Sequence, residues 1–209
     1  MNTLRSMRRA TAISKYLLKD CATIAAGYPL RSSVDSLPMG DVAVLQMGNA
    51  NPDVSIDWAA LKRVELPSFR HGNFLQADDV IFSTRGSRNF ALALDHVPLR
   101  AVCSPHFFVL RVNNAKITPA FLAWQMNQSP AQTYFGRSAT GSDILNIRRE
   151  ALENLSIAVP SLADQHTICA LDRAACAERY LLNQLIANRN RQLQAIALDL
   201  HRPIKESSK

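Results

Sequence analysis

A run of about forty residues without glycine or proline, from Ser161 to His201, is the feature that most constrains the fold of this chain. Alanine and leucine dominate the run, and Ser161 followed by Asp164 is a typical capping start for a helix. One helix of this length would extend about 60 Å, which is longer than ordinary globular helices. We therefore predict a helical hairpin arm or a coiled coil over residues 161–201, with residues 202–209 as a tail.

The apolar residues of this run recur mostly three and four positions apart, as the seam of a coiled coil requires. Glu178 and Arg189 interrupt the stripe, and the pattern is nearly palindromic about residues 183–184. Two antiparallel copies would match apolar positions and set Glu178 beside Arg189 of the other chain. A monomer whose helix folds back on its own domain, or against residues 1–18, is the alternative. The predicted homodimer seam consists of Ile168, Leu171, Ala175, Glu178, Leu182, Ile186, Arg189, Leu193, Ile196 and Leu200.

Residues 1–160 have the pattern of one mixed α/β (α+β) domain built from short strands and helices. Thr118 before Pro119 predicts a helix start, and Ser129-Pro130 predicts a break before a second short helix. The spacing of apolar residues over 3–19 predicts an amphipathic lead-in helix. Six aromatic residues are expected in the core: Phe107, Phe108, Phe121, Trp124, Tyr134 and Phe135. Strands are predicted over residues 42–47, 54–58, 80–84, 90–94, 106–112 and 155–160.

The net charge is +7, and the excess lies in the middle of the chain. Residues 58–149 contain eleven Lys and Arg against five Asp and Glu, whereas the chain from Asp164 onward contains seven against five. A basic globular domain favours an anionic partner such as nucleic acid. Neither a membrane span nor a signal peptide is predicted, because the apolar runs are too short. Four cysteines without framework spacing indicate a reducing compartment.

Motifs for catalysis and cofactor binding are missing from the sequence. It contains no phosphate-binding loop of the ATPase type and no G-x-G-x-x-G turn. The segment NPDV at 51–54 is faintly similar to the Asn-Pro-Pro-Tyr motif of amino-methyltransferases, but the required aromatic residue is absent. Cys103 and His106 could ligate zinc, yet a zinc site needs three or four ligands. We predict a binding protein with no catalytic residues, no metal and no cofactor.

The stretch GRSATGSDILNIRREALENLSIAVPSLADQHTICALDRA, from Gly136 onward, resembles the end of a target-recognition domain. Such domains belong to the specificity (S) subunits of type I restriction–modification enzymes. The segments LKDCATIAAGYPL, LQADDVIFSTRGS and ITPAFLAWQMNQSPAQTYF resemble further parts of that family, with Ala77 standing where the family usually has glycine. The resemblance covers roughly residues 17–200. The matching residues near the end are Gly141, Ser142, Ile144, Leu152, Ile157, Val159, Pro160, Leu162, Gln165 and Ile168.

This resemblance implies a non-catalytic subunit that recognises part of a bipartite site in double-stranded DNA. It also implies docking of methyltransferase (modification) subunits, indirect association with restriction subunits, and a location in the cytoplasm of a prokaryote. S subunits are about twice this length, with two recognition domains and two long helices, whereas this chain has one of each. It is therefore a half-length S protein completed by dimerisation, a fragment or a remnant. A remnant that acts only as a scaffold, and a recognition domain serving another DNA-modifying complex, are the alternatives.

The polar turn STRGSRN at 83–89 supplies the main candidate DNA contacts. Arg85 and Arg88 can each donate two hydrogen bonds to guanine or bind a phosphate, Asn89 can pair with adenine, and Gly86 lets the backbone turn. The alternative for this turn is a solvated hairpin tip, and for the other candidates plain solvated surface. The complete set of predicted contacts is Arg85, Ser87, Arg88, Asn89, Arg70, His71, Lys62, Arg63, Arg137, Ser138, Thr140 and Ser142.

Overall fold

A computed structural model describes residues 13–30, 40–50, 56–65, 74–86, 89–139 and 145–201. The chain divides into two compact units, residues 1–169 and residues 170–209. The α-helices are α1 (Pro119–Asn127), α2 (Ser129–Ser138), α3 (Arg149–Glu153) and α4 (Leu162–Leu200), and two 3₁₀ turns cover Leu18–Asp20 and Met47–Asn49. The strands are β1 (Ser14–Leu17), β2 (Ala22–Ala26), β3 (Val42–Leu45), β4 (Lys62–Val64), β5 (Asp79–Ser83), β6 (Arg85–Gly86), β7 (Ala91–Ala93), β8 (Ala101–Cys103), β9 (Phe107–Val112), β10 (Leu145–Asn146) and β11 (Ser156–Val159).

A four-stranded antiparallel sheet in the order β2–β9–β5–β7 lies at the centre of the first unit. Strand β5 is buried along its whole length because both faces of this sheet are covered. Val80 and Phe82 face a core shared with helices α1 and α2, whereas Ile81 faces a second sheet, β4–β3–β8. Alternation along one strand therefore places its side chains in two different apolar cores.

Helix α1 has the start that the sequence predicts, whereas α2 starts at Ser129, two residues before the predicted Ala131, because Pro130 fits the first turn of a helix. The hydroxyl of Thr118 accepts a hydrogen bond from the backbone N–H of Phe121 at 3.3 Å, and Pro119 takes the first helical position. Helix α1 ends at Asn127 and α2 begins at Ser129, so two helices are present as predicted, but the break lies at Gln128 and not at Ser129-Pro130. The expected aromatic core is also confirmed. Its members are buried or packed against the two cores: Phe107, Phe108, Phe121, Trp124, Tyr134 and Phe135.

Two amide side chains of α1 pair with the edges of two different sheets. Asn127 accepts from the N–H and donates to the C=O of Ala91 on β7, both at 2.8 Å. Gln125 does the same for Ala158 on β11, both at 2.7 Å. Each amide therefore replaces the neighbouring strand that an edge residue lacks, and it fixes α1 against both sheets.

Residues 14–17 correct the prediction of a helix over residues 3–19. They form strand β1, which pairs antiparallel with β11 from Ser14 opposite Val159 to Leu17 opposite Ser156. A strand forms here because the backbone groups on this edge of β11 need hydrogen-bond partners. Helical periodicity in the sequence contains no information about this tertiary requirement. Residues 3–12 lie outside the described part of the chain. The predicted strand over 54–58 also fails in its described part, because residues 56–58 belong to no strand.

Strand β5 begins with a buried ion pair. Asp79 is 2% exposed and accepts from Arg111 on β9, with Nε to Oδ1 at 2.8 Å. The same guanidinium donates from Nη2 to the carbonyl of Phe74 at 2.7 Å, and the hydrogen bond to Asp79 raises the pKa of Arg111. The residue before Asp79 is Asp78, whose φ of 68° lies in the left-handed region that glycine favours. Asp78, one residue after Ala77, is thus the position in this segment whose backbone favours glycine.

The first turns of α4 are fixed by the buried side chain of Gln165, which is 0% exposed. Its Oε1 accepts from the N–H of Thr118 at 2.9 Å, and its Nε2 donates to the carbonyls of Lys116 at 2.7 Å and Pro160 at 3.0 Å. The predicted capping start is confirmed, because the hydroxyl of Ser161 accepts from the Asp164 N–H at 3.2 Å. Gln165 thus joins the helix start to the loop before α1.

Helix α4 is a single element of 39 residues, so the hairpin alternative is wrong and the long-helix prediction is confirmed. It spans about 58 Å at 1.5 Å per residue. Pairing of this helix with a second copy remains a prediction. In the second unit, large apolar residues of the predicted seam are at least half exposed: Leu171, Leu182, Ile186, Leu193, Ile196 and Leu200. No helix in the described ranges has the length and apolar character required for crossing a membrane.

We expect Gln165→Leu to destabilise the first unit by at least about 2 kcal/mol. The change leaves one backbone N–H and two carbonyls without their side-chain partner, and an unsatisfied buried group costs about 1–3 kcal/mol. Urea unfolding measures the effect, and exposed Gln184→Leu on the same helix is the matched control. Equal free energies of unfolding for the two variants would contradict the role assigned to Gln165.

Candidate nucleic-acid interface

The polar turn at 83–89 connects β5 to β7, and its base is held by Ser83. The backbone N–H of Ser83 donates to Phe90 O at 2.8 Å, and its hydroxyl accepts from the Phe90 N–H at 2.7 Å. Asn89 closes the base by donating from Nδ2 to the carbonyl of Ser83 at 2.8 Å. The turn therefore leaves the central sheet from a fixed point.

A two-stranded antiparallel ribbon extends from this base. In it β6 pairs with β10, with Arg85 opposite Asn146 and Gly86 opposite Leu145. Thr84 anchors the ribbon, because its carbonyl accepts from the Ile147 N–H at 3.0 Å and its N–H donates to His106 O at 2.8 Å. The ribbon thus brings the 83–89 turn next to the chain that follows α2, two segments about sixty residues apart in the sequence.

The predicted contacts in this region have different surroundings. Arg85 is exposed, Arg137 is exposed in the last turn of α2, and Ser138 is half-buried. Asn89 is only 3% exposed, and its amide donates to Ser83. The prediction that Asn89 pairs with adenine is therefore corrected: burial and this hydrogen bond make it a residue that shapes the turn.

The other predicted contacts are not brought to the ribbon. Lys62 and Arg63 are exposed on β4, in the sheet β4–β3–β8. The remaining six lie outside the described residues: Arg70, His71, Ser87, Arg88, Thr140 and Ser142.

Sequence reasoning missed two exposed or half-exposed residues beside Arg85. Asn146 is half-buried on β10, and Arg148 is exposed immediately before α3. The signal was alternation: Ile147 between them is 1% exposed, so its neighbours belong to the opposite face of an extended chain.

The thiol of Cys103 is buried. Burial raises the pKa of the Cys103 thiol to about 12, so the thiol stays protonated at neutral pH. His106 is exposed, and its carbonyl accepts from Thr84. Within the described ranges, no group of three or more His, Cys, Asp or Glu is placed to hold a metal ion.

Residues 14–171 match the family model for the type I restriction modification DNA specificity domain. The chain belongs to this family. No curated protein matches the sequence.

Solved structures share the fold of this specificity-domain protein at low sequence identity. The S subunit of a type I restriction–modification system from M. genitalium superposes with a TM-score of 0.56 at 16% identity, covering 90% of this chain and 46% of that one. The HsdS subunit from Thermoanaerobacter tengcongensis gives 0.58 at 18%, covering 96% and 52%. A structure on complex assembly and conformational transition of the type I R-M system gives 0.60 at 15%, covering 90% and 44%. The chain spans about half the length of these proteins.

We expect Gly86→Ala to weaken the ribbon and Gly136→Ala to leave it intact. Gly86 has a φ of 129°, which side-chain-bearing residues rarely adopt, so the cost is about 1–3 kcal/mol. A Cβ at Gly136 meets nothing within 4 Å, and alanine there favours helix α2 by up to about 1 kcal/mol. Amide hydrogen exchange at Ile147, which donates to Thr84, measures the ribbon directly. Faster exchange in both variants, or in neither, would contradict this assignment.

Proposed function

We propose that this chain is the DNA-recognising part of a type I specificity subunit. It reads one half of a split site in double-stranded DNA, and modification subunits supply the methyltransferase chemistry. The observation that carries the proposal is the family match over residues 14–171, which includes both cores and the ribbon. The location implied is the cytoplasm of a prokaryote, with restriction subunits joining the complex indirectly.

The ribbon region is the proposed contact surface. Arg85 on β6 and Arg137 in the last turn of α2 both have exposed guanidinium groups. Such groups bind guanine bidentately or neutralise phosphate. Lys62 and Arg63 on β4 are proposed phosphate contacts. The six predicted contacts that lie outside the described residues, including Arg88, are also proposed to contact DNA.

The long helix supports a proposed antiparallel homodimer. Its exposed apolar stripe is nearly palindromic about residues 183–184, and the chain spans about half the length of the matched structures. Two copies would supply two identical recognition domains about a two-fold axis, so the target would be a palindrome split by a spacer. The same helices would set the spacing and dock the modification subunits.

Binding of the full chain to random-sequence duplex DNA tests the recognition proposal. We expect the logarithm of the binding constant to fall linearly with the logarithm of the salt concentration, with a slope of about −0.9 for each phosphate neutralised. The scaffold alternative predicts no binding at low salt, with or without modification subunits. A self-contained DNA-modifying enzyme would instead show cofactor turnover by the isolated chain, and either result would overturn the proposal. Coexpression with the modification subunit, followed by methylome sequencing, would then identify the target.

Charge reversal tests the dimer register. We expect Glu178→Arg to weaken the dimer, because it sets two positive charges together, and Arg189→Glu to restore it in the double variant. Arg191→Glu is the matched control, since two residues turn the helix by about 200° and carry position 191 away from the stripe. Sedimentation of the full chain at tens of micromolar gives the readout. A monomeric parent, or an asymmetric DNA target, would contradict the model.

A further inference from the structure

The foot of the β6–β10 ribbon, formed by Thr84 and Ile147, is fixed to the core. These two residues are joined by a backbone hydrogen bond at 3.0 Å and are 6% and 1% exposed. Side chains alternate along an extended chain, so the side chain that follows Ile147 belongs to the opposite face. That residue is Arg148, and it is exposed.

Arg148 starts from a position diagonal to Arg85. Arg85 pairs with Asn146 across the ribbon, and Arg148 follows Asn146 by two residues with an extended backbone (φ −75°, ψ 153°). Diagonal neighbours of this kind are about 7–8 Å apart on one face. Two exposed guanidinium side chains therefore share that face, with Arg148 at the foot and Arg85 farther out along the ribbon.

Arg148 differs from the next arginine in its charge partners. Arg149 donates from Nε to Oε1 of Glu153 at 2.7 Å, one turn along α3. Among the residues that the structure describes, neither Arg148 nor Arg85 has a carboxylate within 4.0 Å. Neither guanidinium therefore has to give up an ion pair of this kind when an anion approaches. Arginine binds phosphate oxygens through two parallel N–H···O bonds.

We propose that Arg148 is a phosphate contact that holds the DNA backbone at the foot of the ribbon. This inference rests on the proposed function and deepens it. The major groove of B-DNA admits a two-stranded β-ribbon. The outer part of an inserted ribbon, which includes Arg85, faces base edges, whereas its foot lies level with the backbones that border the groove. The side chain of Arg148 is attached at the foot, so phosphate is the group it meets.

The salt dependence of duplex binding by the full chain, with modification subunits present, tests this role. We expect Arg148→Ala to weaken binding to every sequence alike, by roughly tenfold at low salt. The log–log salt slope should become less negative by about 0.9, because one phosphate contact is lost. Arg148→Lys should keep the slope of the parent, since an ammonium group neutralises a phosphate as a point charge. Arg149→Ala is the matched control and should change neither quantity, because Arg149 is paired with Glu153.

The outcomes separate this inference from the proposed function. A parent chain that binds no DNA overturns the proposed function, and this inference with it. A parent that binds DNA with the same affinity and salt slope as folded Arg148→Ala overturns the role of Arg148 alone. Relaxed preference at one base pair without a change in slope also overturns it, because Arg148 would then read a base.

Thermal unfolding checks the fold of each variant. Arg148→Gln, which keeps a long side chain without the charge, replaces the alanine variant if that one is unfolded. A less negative slope in the glutamine variant supports the phosphate contact, and an unchanged slope refutes it.

Discussion

The need to pair buried backbone groups is the constraint on which the first unit depends. Its strands belong to several small sheets, and small sheets have many edges whose N–H and C=O groups require partners. Side-chain amides provide them. Asn127 pairs with Ala91, Gln125 pairs with Ala158, and Gln165 satisfies groups of Thr118, Lys116 and Pro160. Helix α1 is therefore fixed to two sheets, and the start of α4 to the loop before α1, by directional bonds as well as by apolar contact.

This way of joining sheets explains how a mixed domain can present a short ribbon at its surface. A two-stranded ribbon is marginal by itself, and this one is held by Thr84 and by the turn base at Ser83. The central sheet supplies the rigid support, because β5 leads directly into β6. The side chains of the ribbon can then vary without loss of the core.

The second unit is characterised by exposed apolar side chains on one long helix. Helix α4 from Ala170 onward carries large apolar residues that are at least half exposed, among them Leu182, Ile186 and Leu193. Burial of one such side chain contributes about 1.5–3 kcal/mol, so a stripe of this size favours a partner surface. Glu178 and Arg189 within the stripe would cost stability if buried alone, and the proposed antiparallel pairing sets each beside the other.

The sequence by itself determined the elements whose signals are local. The Thr118-Pro119 helix start, the presence of a second helix after α1 and the long helix after Ser161 follow from capping, proline geometry and the lack of helix breakers. The order of weak motifs was enough to indicate the family, and the match over residues 14–171 confirms it. Arg85 was recognisable as a surface guanidinium because a polar turn surrounds it.

Only the tertiary structure decided what pairs with what. Residues 14–17 have helical spacing yet form β1, because the free edge of β11 requires a strand. Asn89 reads as a surface residue in the sequence, but its amide closes a turn inside the domain. Asn146, which the sequence did not single out, lies opposite Arg85 in the ribbon. The pairing of β1 with β11 and of β6 with β10 depends on backbone partners about sixty or more residues away. Periodicity and propensity describe only neighbours along the chain.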